Sequence, residues 1–178
     1  TDRFSPVETA DSAGGAGDRA ELRNRLGIPP DAFVVGSVGR LAWEKNYGLL
    51  VEAFARLQEE WKNKEGAGAP FLVIVGGGPL DGDIRKAIER HGLGTFSLLP
   101  GVQENIEQWL RAMDVFCLSS ITEGTSVTLL EAGATGLPSV VTDVGGNADI
   151  VEDGRTGFVG APEEPVVMSE KWAELQRH

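Results

Sequence analysis

Five short, mainly apolar runs alternate along the chain with longer stretches in which apolar residues recur every three or four positions. The runs fall at residues 32–38, 71–75, 95–99, 114–118 and 138–142. The continuous apolar character of 32–38 argues for a strand buried on both faces, as in a parallel sheet. The stretches between them read as helices. Residues 18–26 carry Leu22 and Leu26 at helical spacing and stop at Gly27 and the Pro29-Pro30 pair. Residues 46–62 carry Leu49, Leu50, Ala53, Phe54 and Leu57 inward and Glu52, Glu59 and Glu60 outward, with Trp61 at the edge of the buried face. Residues 83–91 turn Ile84, Ala87 and Ile88 inward, and residues 106–113 place Trp109 and Leu110 in the core. Further helices start near Ser126 and after Gly145-Gly146-Asn147, and residues 163–178 form an amphipathic tail with Val166, Val167, Trp172 and Leu175. Strands that each lead into a helix predict an α/β, Rossmann-like doubly wound parallel sheet of about six strands with helices on both faces.

The chemistry gathers where strands hand over to helices, which is where open α/β sheets bind ligands. After the strand at 114–118 come Ser119-Ser120, then Glu123-Gly124-Thr125-Ser126-Val127 and, eight positions beyond Glu123, Glu131. A helix starting near Ser126 turns its free N–H groups and positive dipole end toward that loop, a setting that favours an anion such as a phosphate. Glu131 then lies roughly 7 Å along the axis, too far to share a proton with Glu123. The two carboxylates suit separate acceptor roles toward sugar hydroxyls; a capping box of Glu131 with Thr128 fits the same spacing. After the first strand, Gly39 lets the backbone approach a ligand, Arg40 offers a fork of donors, and Lys45 follows as a point charge within reach of the same phosphates. The turn Gly76-Gly77-Gly78-Pro79 serves either a phosphate or a tight strand-to-helix connection.

The order and spacing of four motifs resemble the nucleotide-sugar-binding half of family 4 retaining glycosyltransferases, which have the GT-B fold. They are residues 36–46, residues 73–79, residues 123–131 and Val144-Gly145-Gly146-Asn147. The likeness runs from about Asp2 to Val159, and residues 154–159 resemble the closing turn and strand of the family's domain, which supplies the sixth strand. It implies that Arg40 and Lys45 bind the donor diphosphate and stabilise the departing nucleotide, that Glu123 holds the donor sugar, and that Glu131 binds the ribose. Gly39, Gly76, Gly78, Gly124, Thr125, Ser126 and Val127 complete the donor site, with Pro100 and Val102 beside the nucleobase. The pattern departs from the family at Gly77, where a polar residue is usual, and at Thr125-Ser126, where many members have an aromatic residue. The latter resembles a subset associated with bacterial surface polysaccharide or glycolipid synthesis. The implied donor is a UDP- or GDP-linked sugar, with no metal or other cofactor, and the implied activity is that of a hexosyltransferase.

At 178 residues, with 41% apolar and 24% charged residues, one domain with a proper core is expected. A net charge of −11 argues against nucleic-acid or membrane contact by this domain. Cys117 cannot form an internal disulfide and reads as a buried inert thiol, in keeping with a cytoplasmic protein; by the resemblance the full-length enzyme is peripheral at the inner membrane face. His91 reads as a polar residue at a helix end. The chain starts at Thr1, and residues 1–6 resemble the segment after the family's interdomain connection. The expectation is a donor domain lacking its N-terminal acceptor domain and inactive alone, with a flexible leading segment at 1–17 and a truncated last helix that leaves Trp172 more exposed. Two other readings stand beside it. A sugar-nucleotide epimerase or glycogen-type synthase shares the architecture, and a response-regulator-like module would place an acidic cluster where this chain has Gly39-Arg40 and Ser119-Ser120.

Overall fold

A computed structural model describes residues 15–62, 68–161 and 164–176. The chain order is α1 (Gly15–Leu26), β1 (Phe33–Val38), a 3-10 turn (Trp43–Lys45), α2 (Tyr47–Trp61), β2 (Pro70–Val75), α3 (Asp81–Arg90), a 3-10 turn (Gly94–Phe96), β3 (Ser97–Gly101), α4 (Ile106–Ala112), β4 (Val115–Leu118), α5 (Val127–Ala134), β5 (Ser139–Thr142), α6 (Asn147–Ile150), β6 (Gly157–Gly160) and α7 (Pro165–Leu175). The six strands form one sheet in the order β3-β2-β1-β4-β5-β6, and every pairing is parallel. This is the doubly wound topology that the apolar runs predict.

Side-chain alternation along the strands supplies two cores. Val35, Leu72, Ile74, Val115 and Cys117 face α2, α3 and α7, while Val34, Val73, Val75, Phe116 and Leu118 face α1, α4 and α5. Strands covered on both sides have no reason to carry polar residues, which is why the runs stood out. Cys117 is free and buried in β4, and burial pushes its thiol pKa up, as an inert thiol requires.

Four expectations need correction. Trp172 is not exposed at all: α7 folds back onto α2, and the indole joins Leu50, Phe54 and Leu57 in one core cluster. The apolar face of α2 is wide enough to need a second helix beside it. Residues 15–17 are the start of α1 rather than part of a loop, with Asp18 in the first turn where its charge favours the helix N-terminus; the rest of the leading segment lies outside the described residues. β3 begins two residues late because Phe96 N–H bonds to the Leu93 carbonyl at 2.9 Å and closes a 3-10 turn first. The strand then includes Pro100, tolerated because β3 is an edge strand. The fourth concerns Glu131 and is described with the site.

Asp114 fixes the junction between β1 and β4 at their N-terminal ends. Its Oδ2 accepts from Val34 N–H at 2.6 Å and from Arg23 Nη2 at 2.7 Å, and its Oδ1 pairs with Arg19 at 2.8 Å. Arg23 is buried and donates further to the carbonyls of Ala112, Pro30 and Ala32 at 2.9, 3.0 and 2.9 Å. Asp114→Ala is expected to lower the free energy of urea unfolding by roughly 3–5 kcal/mol, because it strands a buried guanidinium; a loss under about 1 kcal/mol would mean the carbonyls alone satisfy Arg23.

Candidate functional site

β1 lies between β2 and β4, so the chain leaves β1 toward one side of the sheet and leaves β4 toward the other. The crevice between two such diverging loops is the ligand position of doubly wound folds. Residues 39–46 and 119–126 form its walls, and they are laced together. Ser119 Oγ donates to the Lys45 carbonyl at 2.9 Å, Ile121 N–H donates to the Glu44 carbonyl at 2.8 Å, and Lys45 Nζ makes an ion pair with Glu123 Oε1. Asn46 closes the 3-10 turn at φ 45°, a left-handed conformation that asparagine tolerates better than most residues, and α2 starts at the next residue.

The glycines explain how the loops come so close. A Cβ at Gly76 would lie 1.9 Å from the Gly39 carbonyl oxygen, and one at Gly78 would lie 2.5 Å from that of Leu41. The turn after β2 is therefore closed on the β1 loop, with Leu41 N–H bonded to the Gly77 carbonyl at 3.0 Å. Gly145 (φ 56°) brings the β5–α6 turn against the Glu123 backbone in the same manner. Val102 is 78% exposed just after β3 and covers Gly77, the position at which the sequence departs from the resemblance; Pro100 lies in β3.

Electrostatically the site is mixed. Arg40 is exposed and carries no ion pair among the described residues. The side chains of Lys45 and Glu123 are enclosed, 17% and 9% exposed. Ser126 caps α5, its Oγ accepting from Leu129 N–H at 3.4 Å. That places Leu129 at the third helical position and Glu131 two residues deeper, so no capping box with Thr128 forms. Glu131 is half-buried, and the loss of solvent raises its pKa above the ordinary glutamate value. Val127 and Leu130 point outward and only Leu129 of that apolar run is buried; Gly124 and Thr125 are exposed.

The expected donor-site residues thus lie at the C-terminal ends of β1, β2, β3 and β4 or in the helix that follows, and the fourth motif, residues 144–147, follows β5. Direct side-chain contact joins Lys45 to Glu123, and a Cβ at Gly39 would lie 3.6 Å from the Lys45 stem. Sequence reasoning missed Ser120, whose Oγ donates to Glu123 Oε1 at 2.7 Å, and Tyr47, whose enclosed hydroxyl would lie 3.1 Å from a Cβ at Gly39. The Ser120-x-x-Glu123 spacing was the one visible signal. Among the described residues no group of three or more His, Cys, Asp or Glu side chains could hold a metal ion. A cavity of 450 Å³ lies at the other end of β5, between Leu129, Gly136, Pro138, Ile150 and Arg155, and its arginine is already paired with Glu152 at 2.8 Å.

The model of the family described as glycosyl transferases group 1 matches residues 18–177. The chain is 33% identical over 158 residues to the lipopolysaccharide core biosynthesis mannosyltransferase LpsB of Rhizobium meliloti, covering 83% of the chain and 42% of that protein. It is 32% identical over 173 residues to D-inositol 3-phosphate glycosyltransferase 2 of Catenulispora acidiphila, covering 92% of the chain and 37% of that protein. It therefore spans about two-fifths of the length of these curated relatives. Among solved structures, Anabaena HepE in complex with UDP and glucose superposes with a TM-score of 0.78 at 26% identity, over 89% of this chain and 42% of that one. The C-terminal domain of the group 1 glycosyl transferase LpcC from Francisella tularensis has the same fold, with a TM-score of 0.80 at 20% identity over 99% of this chain and 87% of that one.

Gly145→Ala tests the loop packing. The added Cβ would lie 2.0 Å from the Glu123 carbonyl oxygen at a backbone angle that disfavours alanine, so a loss of roughly 1–3 kcal/mol in unfolding free energy is expected. Gly124→Ala, with nothing within 4 Å of the new methyl, should change stability by less than about 0.5 kcal/mol.

Proposed function

The chain belongs to the group 1 glycosyl transferases and has the fold of a GT-B C-terminal domain, and we propose that it is the donor domain of a retaining, family 4 hexosyltransferase. It binds a UDP- or GDP-linked sugar in the crevice between the β1 and β4 loops. The observation that carries this reading is the joint placement of Arg40, Lys45, Glu123 and the α5 N-terminus at one switch point. The UDP, and in a related complex UDP-glucose, held by HepE support a nucleotide sugar as ligand.

The chemistry follows from charge. Transfer requires the sugar to leave a diphosphate, so the protein must stabilise negative charge developing on the leaving group. Arg40 grips the diphosphate with its planar fork, Lys45 adds a point charge, and the free N–H groups of Val127 and Thr128 at the start of α5 face the same anion. These groups take the place of a metal. Glu131 accepts from the ribose hydroxyls, and Glu123 accepts from the donor sugar and orients it. Gly39, Gly76, Gly78, Gly124, Thr125 and Ser126 shape the phosphate side, and Pro100 and Val102 border the base. Acceptor binding and activation belong to an N-terminal domain of the full-length enzyme, without which this domain transfers little sugar.

The resemblance to LpsB supports bacterial polysaccharide or glycolipid synthesis as the setting. No helix among the described residues is long and apolar enough to cross a membrane; a cytoplasmic enzyme peripheral to the membrane face fits this reading.

Isothermal titration with UDP, GDP and their sugar conjugates, without added metal, tests it. Saturable binding is expected, weakened about tenfold or more by Arg40→Ala at an unchanged melting temperature, since a lost charge-assisted hydrogen bond is worth roughly 1.5–3 kcal/mol. Equal affinity in the variant would make Arg40 a merely solvated cation.

A further inference from the structure

The proposed donor site asks two things of one ion pair that it cannot do together. Lys45 is bonded to Glu123, yet the reading sends Lys45 to the diphosphate and Glu123 to the sugar. Once phosphate oxygens take Lys45, the enclosed Glu123 carboxylate has lost its cation, and an enclosed carboxylate needs other donors to be held in place.

Ser120 is such a donor. Its Oγ donates to the same Oε1 at 2.7 Å, an ordinary hydroxyl hydrogen bond, and the residue is fully buried. Its backbone is fixed from the opposite side. Thr142 Oγ1 donates to the Ser120 carbonyl at 2.7 Å, and Asn147 Nδ2 donates to the Thr142 carbonyl at 3.0 Å, with Thr142 and Asn147 both buried. A chain of sheltered hydrogen bonds therefore runs from the β5–α6 turn to Glu123 without passing through Lys45.

We propose that Ser120 is a positioning residue for the donor sugar, holding the Glu123 carboxylate on the sugar after the diphosphate has drawn Lys45 away. The inference rests on the donor site proposed above and adds the group that makes a simultaneous grip on phosphate and sugar feasible.

The test compares the wild type with Ser120→Ala and Ser120→Thr by titration with UDP, GDP, UDP-glucose and GDP-mannose, alongside melting temperatures. The wild type should bind one sugar conjugate more tightly than its bare diphosphate. Ser120→Ala should lower affinity for that conjugate about tenfold, the equivalent of about 1.4 kcal/mol, and leave the bare diphosphate within about twofold. Ser120→Thr keeps the hydroxyl and should restore most of the difference. Equal losses for conjugate and diphosphate, following a lowered melting temperature, would make Ser120 purely structural and overturn the proposal. Unchanged affinities, or a wild type that gains nothing from the sugar, would overturn it as well. A wild type that binds none of the four ligands would instead remove the donor site itself, and the proposal with it.

Discussion

The proposed donor crevice depends on the adjacency of β1 and β4. Because the sheet order reverses there, the two loops leaving the strands diverge and must be held by something other than the strand ladder. Two charged arrangements do it, one at each end. At the N-terminal end Asp114 joins the β1 backbone to Arg23 and Arg19. At the C-terminal end the Lys45–Glu123 pair, with Ser119 and Ile121 bonded to the Lys45 and Glu44 carbonyls, closes the crevice.

The two ends answer to different demands. Arg23 meets carbonyls and a carboxylate on all sides, so its burial fixes the fold and leaves nothing over for a ligand. Lys45 and Glu123 have few other partners, and Arg40 beside them has no ion partner among the described residues. An opposite-charge pair that a phosphate and a sugar can each relieve is stable without ligand and open to exchange with one. The surrounding glycines let three turns approach within van der Waals contact, which keeps the pair in register with the helix N-terminus that follows β4.

The sheet was legible because double-sided burial removes polar residues from strands, and β1, β2, β4 and β5 lie within one residue of their expected bounds. What failed was whatever depended on partners distant in sequence. Nothing near Trp172 announces that α2 will cover it, and the start of β3 turned on a single 3-10 hydrogen bond. Among the described residues the ends of β1 and β4 carry Gly39-Arg40 and Ser119-Ser120 rather than the acidic cluster of a response-regulator module. Arg40, Lys45 and Glu123 could be chosen from motif order, whereas Thr142, Asn147 and Tyr47 could not. Their contribution is a buried hydrogen bond or an enclosed hydroxyl rather than a charge in a loop, and such roles leave no spacing to read.

The central proposal is positional: the nucleotide is proposed to sit on the edge where β1 and β4 part, not in the cavity beside α5 and α6. Backbone amide shifts recorded during titration with whichever of UDP or GDP binds would locate it directly. The account predicts the largest changes in residues 39–46 and 119–128, together with the end of β3. Changes centred instead on residues 136–139 and 150–156, around the 450 Å³ cavity, would contradict it.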